Sequence, residues 1–238
     1  MSFARRCDAR HTAIVASSFN AGKLEGTGAE FASRRLRMIS TVLFDMNDVL
    51  YRYIRSRRVK SLARICGKSP QAVDAAVWVS GFEDSGDEGA VDADGYLAGF
   101  GERLGWPLTR EEWARALRAA VTPIPETLAL AALVGQNARV AVLTNNNLLV
   151  KRSVGAVFPE LLPIFGENFF VSAEFHARKP QPEVYLACVS RLGAEPHATL
   201  FIDDSDRNVS GAERAGLRTH LYRTPSELRK TLQEERLL

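Results

Sequence analysis

Asp45 closes a short apolar run in LFDMNDVL, and Asp203 and Asp204 do the same in FIDDSD. Thr144 and Asn145 follow a third run in VLTNN, and Lys179 stands between the last two in RKPQPEVY. A carboxylate at a strand end can attack phosphorus and form an aspartyl-phosphate, provided the anionic ester is first neutralised. Asp45 could do so only with a magnesium ion and a cation beside it. Mg2+ takes oxygen ligands, few of them carboxylates, and keeps several waters. Asp204 with Asp45, aided by Asp203 through water, meets that demand, whereas three carboxylates gathered without a metal would repel one another. Thr144 offers a hydroxyl, Asn145 an amide and Lys179 a point charge for the non-transferred phosphate oxygens.

Such residues work only if the chain brings them to one place. The runs at 40–44, 139–143 and 198–202 are short and rich in Val, Ile, Leu or Phe, as buried parallel strands are. Residues 169–172 and 219–222 are weaker candidates. Helical patterns lie between them, at 182–192, ending before Gly193, and at 208–215, ending before Gly216. Alternating strand and helix predicts an α/β protein with a Rossmann-like, doubly wound parallel sheet. Ligands of such sheets sit beyond the carboxyl ends of the strands, which would put Asp45, Thr144, Asn145, Asp203 and Asp204 on one rim. About 75 residues, 53–127, separate the first strand from the second and read as helices at 56–66, 69–79, 92–104 and 109–120. Thr109 with Glu112 makes a capping box. The expected organisation is a core of residues 38–52 and 128–238, with a helical cap over its rim at 53–127.

The 238 residues, 46% hydrophobic and 25% charged, are enough for a sizeable core. The formal charge of +3 is misleading. Residues 1–37 hold seven Lys or Arg against three acids, so this segment carries +4 and the rest −1. The body therefore has no electrostatic footprint for nucleic acid. No apolar run approaches the roughly 18 to 20 residues of a membrane helix. Cys7, Cys66 and Cys188 are odd in number and far apart, which argues against a disulfide framework and for a cytoplasmic protein. Residues 1–37 are expected to be a flexible leader, with Met38 an alternative start.

Taken together, FDMNDVL, VLTNN, RKPQPEVY and FIDDSDRNVSGAERAG resemble, in order, the four motifs of the haloacid dehalogenase-like hydrolase superfamily. The branch most similar includes glucose-1-phosphate phosphatase-like and epoxide-hydrolase N-terminal phosphatase-like proteins, which carry a helical cap. The resemblance implies a magnesium-dependent phosphatase acting on a small phosphorylated metabolite, a sugar phosphate among the candidates. Asp45 would be the nucleophile, Thr144 and Lys179 would hold phosphate, and Asp204 and the Asn47 backbone carbonyl would hold Mg2+. Oligomeric state is not readable.

One position departs from the family. The usual first motif is DxDG, whose second Asp protonates the leaving oxygen and later activates water; here Asn47 and Asp48 stand at its end. An amide exchanges no proton near neutral pH, so help worth about a hundred- to ten-thousand-fold is lost from that position. Three outcomes stay open: a phosphatase of easily departing groups, a replacement acid at Asp48 or at a cap residue such as Glu83, or a protein that binds phosphoesters without turnover. Dehalogenases of the superfamily carry DxYGT and need no magnesium, and this chain has neither that Tyr nor that Thr.

Other features read as structural. The acids between Glu83 and Asp94 lack calcium-loop spacing. Gly67-Lys68-Ser69 fails as a P-loop because Leu62 occupies the first glycine position. Arg55, Arg57, Arg58 and Lys60 read as a solvated helix face. Asn208 reads as a helix-start residue bonding the loop of the fourth motif, His176 as a loop histidine, and Trp78 and Phe82 as the cap aromatics nearest the rim.

Overall fold

A computed structural model describes residues 38–238, so the expected leader and the alternative start lie outside the described residues. Seven strands occur there: β1 (Thr41–Phe44), β2 (Tyr51–Tyr53), β3 (Val121–Pro123), β4 (Arg139–Thr144), β5 (Phe169–Val171), β6 (Thr199–Asp203) and β7 (Arg218–Leu221). Five form a parallel sheet in the order β5-β4-β1-β6-β7. The expected strands are all present, shifted by a residue or so.

Successive strand residues face opposite sides of the sheet, and the core divides on that period. Val42, Phe44, Val142 and Ile202 pack with Leu128, Ala131 and Val134 of helix Pro125–Val134 and with Leu228 and Leu232 of helix Pro225–Glu234. Leu43, Ala141, Leu143 and Phe201 pack instead with Val184, Tyr185 and Cys188 of helix Pro182–Arg191 and with Ala212 of helix Asp206–Arg214. Both faces are covered, so the strands are apolar throughout rather than alternating.

The chain leaves the sheet through β2 and returns through β3, an antiparallel pair in which Tyr51 opposes Pro123. This pair is absent from the sequence reading, because three-residue strands carry too short a pattern to register. Between its strands lie helices Arg55–Cys66, Pro70–Asp74, Phe82–Asp87, Ala93–Leu104 and Arg110–Arg118. Gly67 ends the first of them with a left-handed φ of 67°, and the Ser69 hydroxyl caps the second by accepting from Ala72 N, the structural reading of Gly67-Lys68-Ser69. The capping box at Thr109 and Glu112 forms as expected. The helix expected at 69–79 instead stops at Asp74 and continues as a wider π-helical turn, Ala75–Val79. That turn carries Trp78 into an edge-on contact with Phe100.

Arg58 corrects the reading of a solvated basic face. Its guanidinium is buried, 2.7 Å from a Glu83 oxygen and over the rings of Trp78, Phe100 and Trp113 at 5.4, 5.6 and 5.3 Å. A paired and stacked arginine tolerates burial where a lone one would not. Arg55, Arg57 and Lys60 are exposed, as expected.

Cys66 and Cys188 are free thiols, and no helix of the described residues is long and apolar enough to cross a membrane. Burial, with Glu174 adding, pushes the Cys188 thiol from 9.0 up to about 12. The unfolded chain would release this proton near 9.0 while the folded chain keeps it, so stability falls as pH rises between those values. Urea unfolding of the unsubstituted chain should therefore lose up to about 2 kcal/mol more than Cys188→Ala between about pH 8 and about pH 10.5. Parallel pH curves for the two proteins would contradict the burial.

Candidate active site

Strand register brings the acids together. Phe44 pairs with Ile202 in β6 and with Val142 in β4, so Asp45 lies level with Asp203 on one side, and Thr144 ends the strand on the other. Asp45 N donates to Ile202 O at 2.8 Å, extending the ladder one residue past β1. Lys179 Nζ bridges the two carboxylates, 2.5 Å from Asp45 Oδ1 and 2.7 Å from Asp203 Oδ2. These residues are 6% (Asp45), 4% (Lys179) and 0% (Asp203) exposed. Asp204 is half-buried and points a carboxylate into the same cluster: one oxygen from each of Asp45, Asp203 and Asp204 lies within 4.8 Å of the others.

Each member is held by its own partners. Asn145 clamps the Lys179 backbone, its Nδ2 donating to Lys179 O at 3.0 Å and its Oδ1 accepting from Lys179 N at 2.9 Å. Asn145 was expected to face phosphate; its amide is spent on orienting the lysine instead. Asp203 accepts from Ser205 N at 2.9 Å and from Asn208 Nδ2 on both oxygens at 3.0 Å. Asn208 thus braces the acid, as expected of a residue bonding this loop, from the first turn of helix Asp206–Arg214. Tyr185 donates to Asn208 O at 2.8 Å, a support the sequence reading did not assign although Tyr185 closes the RKPQPEVY motif. Thr144 Oγ1 accepts from Asn146 Nδ2 at 2.8 Å, and Asn146 N donates to Ser172 Oγ at 3.1 Å.

Asn47 and Asp48 make the turn that follows the nucleophile position. Asp48 takes a left-handed φ of 58°, its N donates to Tyr51 O at 2.6 Å and its Oδ1 accepts from Tyr53 N at 3.3 Å. Asp is among the few non-glycine residues that enter this region readily, and its side chain serves the turn. Asn47 Oδ1 is buried without a hydrogen-bond partner. Trp78 and Phe82 belong to the core of the helical insert, where Phe82 stacks on Tyr96 at 5.0 Å between ring centres, and they do not line the cleft. His176 turns a left-handed corner at φ 50°, three residues before Lys179.

The electrostatics of the cluster show a deficit of positive charge. Burial, opposed by Lys179 and reinforced by Asp203, pushes Asp45 up to about 7. Burial works against the Lys179 ammonium, but Asp203 and Asp45 outweigh it and raise its pKa. Burial, then Asp203 and Asp48, raises Asp204. One ammonium does not satisfy three carboxylates. A hard divalent cation with oxygen ligands fits this donor set, and its charge would let Asp45 stay ionised.

A cleft of ≈ 390 Å³ opens beside Lys179. Arg178, Gln181, Arg207 and Asn208 line it from the sheet side, and Asp84 and Glu88 from the insert. Arg178 ties the two sides together, 2.8 Å from Asp84 and 3.7 Å from Glu88, and Arg152 makes a second tie to Asp94 at 2.9 Å.

This fold has counterparts. The family model of haloacid dehalogenase-like hydrolases matches residues 39–216, and the chain belongs to that family. The D-ribitol-5-phosphate phosphatase of Bacteroides thetaiotaomicron is 23% identical over 208 residues, 82% of this chain and 97% of the relative. The glyceraldehyde 3-phosphate phosphatase of Methanopyrus kandleri is 32% identical over 56 residues, 23% of this chain and 24% of the relative. Among solved structures, a family enzyme of Bacteroides thetaiotaomicron in complex with magnesium and inorganic phosphate superposes with a TM-score of 0.66 at 24% identity, covering 78% of this chain and 94% of that one. The L-2-haloacid dehalogenase of Xanthobacter autotrophicus superposes at 0.56 with 18% identity, over 84% and 85% of the two chains.

Gly211 fixes where Lys179 sits. A Cβ on Gly211 would come 2.3 Å from Pro180 O and 2.8 Å from Pro180 Cβ, so helix Asp206–Arg214 abuts the residue after the lysine. Gly211→Ala should destabilise the protein by about 1–3 kcal/mol in urea unfolding. It should also lower phosphate release, because the Lys179–Pro180 segment must shift. Unchanged stability would show that this contact is slack.

Proposed function

We propose that the chain is a magnesium-dependent phosphatase of a small phosphorylated metabolite, working through phospho-Asp45. The observation that carries this reading is the buried Lys179 ammonium held between Asp45 and Asp203, with Asp204 completing an acidic cluster. Asp45 would attack the phosphorus, Lys179 and the Thr144 hydroxyl would hold the non-transferred oxygens, and Asn145 would keep Lys179 in place. Asp45, Asp204 and the Asn47 backbone carbonyl would hold Mg2+, with Asp203 reaching it through water. Bound there, Mg2+ supplies positive charge against the ester dianion and the acids. The Asn47 carbonyl role is what the family resemblance implies; the others suit groups that approach phosphate without repulsion, since catalysis here is mainly placement and charge. Residues 53–127 act as the cap, closing the rim from water and selecting the substrate. The relatives that hydrolyse ribitol 5-phosphate and glyceraldehyde 3-phosphate support a small polyol or sugar ester as substrate class. The cleft supports it too, being lined by charged and amide side chains rather than apolar ones. The acid cluster favours phosphate over halide chemistry despite the likeness to a dehalogenase, which extends to the fold alone.

Asn47 supports a second reading, a protein that binds phosphoesters without turning them over. One assay separates the two. Phosphate release from p-nitrophenyl phosphate and sugar phosphates should need Mg2+, stop on chelation, and fall to background in Asp45→Asn. Turnover by Asn47→Asp alone, with none by the unsubstituted chain, would favour the binding protein. No release by any of the three would remove the phosphatase reading.

A further inference from the structure

Three carboxylates meet at the rim, and two of them are fixed by bonds to their own oxygens. Lys179 holds Asp45, while Lys179, Ser205 N and Asn208 hold Asp203. Asp204 differs. It is half-buried, and no side chain among the described residues donates to its carboxylate. One of its oxygens still lies within 4.8 Å of oxygens from Asp45 and Asp203. Its aim is therefore set by the backbone that carries it.

That backbone is tied from the neighbouring strand. β7 pairs with β6 so that Leu221 stands opposite Asp203, and Tyr222 N donates to Asp203 O at 2.8 Å. Arg223, the next residue, reaches back across the rim. Its Nη1 donates to Asp204 O at 2.7 Å, and its Nη2 lies 3.1 Å from Asp206 Oδ2. One planar guanidinium thus spans the residues on either side of Ser205, whose N–H is itself given to Asp203 Oδ1 at 2.9 Å. Every residue from Asp203 to Asp206 has a fixed partner, although 204 and 205 form the short link between β6 and helix Asp206–Arg214. Arginine suits this task because its donors are set in a rigid fork. The side chains of Arg223 and Asp206 are 50% and 76% exposed, and such exposed pairs add little stability. Placement of the acid between them accounts for the contact better.

We propose that Arg223 is a positioning residue for the metal site: by holding Asp204 O it keeps the Asp204 carboxylate turned toward Asp45. The inference rests on the reading of Asp204 as a Mg2+ ligand. Groups that orient a ligand without touching the ion commonly govern how tightly the ion binds. The direction of the effect separates placement from charge. A guanidinium beside an acidic cluster opposes a second cation, so charge alone predicts tighter Mg2+ binding once Arg223 is removed. Placement predicts weaker binding.

Mg2+ affinity tests this without requiring turnover. Dissociation constants are measured by calorimetry for the unsubstituted chain, Arg223→Ala, Arg223→Lys and Asp204→Asn, with urea unfolding to show that each is folded. Arg223→Ala should bind Mg2+ about tenfold more weakly. Arg223→Lys keeps the charge but loses the fork, and should fall between Arg223→Ala and the unsubstituted chain. The Mg2+ concentration giving half-maximal release from p-nitrophenyl phosphate should rise in step. Unchanged or tighter Mg2+ binding by a folded Arg223→Ala overturns the inference; weaker binding by Asp204→Asn would then still uphold the metal site. If Asp204→Asn binds Mg2+ as tightly as the unsubstituted chain, or the unsubstituted chain binds none, the metal site falls and the inference with it.

Discussion

The site depends on one buried arrangement: an ammonium shared by two carboxylates at the ends of adjacent parallel strands. Taking such charges out of water is expensive, and removing one partner of a buried pair typically costs about 3–5 kcal/mol because the other is left uncompensated. The surroundings answer that expense. Ser205, Asn208 and Tyr185 saturate Asp203 and its brace, and Asn145 holds the lysine by both of its backbone groups. A flexible lysine thereby becomes a fixed point charge. The same shell leaves Asp45 with too little positive charge of its own, as its elevated pKa records. Stability and reactivity pull against each other at this residue, and a cation would relieve both.

The insert is joined to this centre by charge rather than by apolar contact at the cleft. Arg178 lies one residue before the lysine and pairs with Asp84 and Glu88 on the insert side. Asp84 is about two-thirds exposed in its side chain, so that tie is weak in water and screened by salt. The insert's own centre is the opposite case. Arg58 and Glu83 are buried among Trp78, Phe100 and Trp113, which makes the helical body rigid. Helices Ala93–Leu104 and Arg110–Arg118 also pack on helix Leu148–Val157 within the apolar cluster that continues to the sheet, so the insert is held by more than its ion pairs.

Much of this could be read from the chain, and the reason is physical. A strand buried on both faces must be apolar along its length, and the first polar residue marks its end; Asp45, Thr144 and Asp203 are visible for that reason. Helix stops at Gly193 and Gly216 are equally plain, because glycine enters the left-handed region that both occupy without a Cβ penalty. What escaped depends on partners distant in sequence. Arg58 looks solvated beside Arg55, Arg57 and Lys60 until Glu83 and three rings close over it. Asn145 looks like a ligand until the Lys179 backbone meets its amide, 34 residues away. β2 and β3 are too short to carry a pattern, and the π-helical turn at Ala75–Val79 answers to the packing of Trp78 rather than to any local signal.

The exchange of acid for amide at position 47 is informative because the backbone there is undisturbed. Asp48 holds the left-handed turn, Tyr51 accepts from its N–H, and Asn47 bridges to Tyr51. The turn needs neither an acid at 47 nor a glycine at 48. In the proposed reaction the substitution would therefore alter proton traffic and leave charge placement intact. A family that separates nucleophile, cation and proton donor among different loops can lose the third without losing the first two.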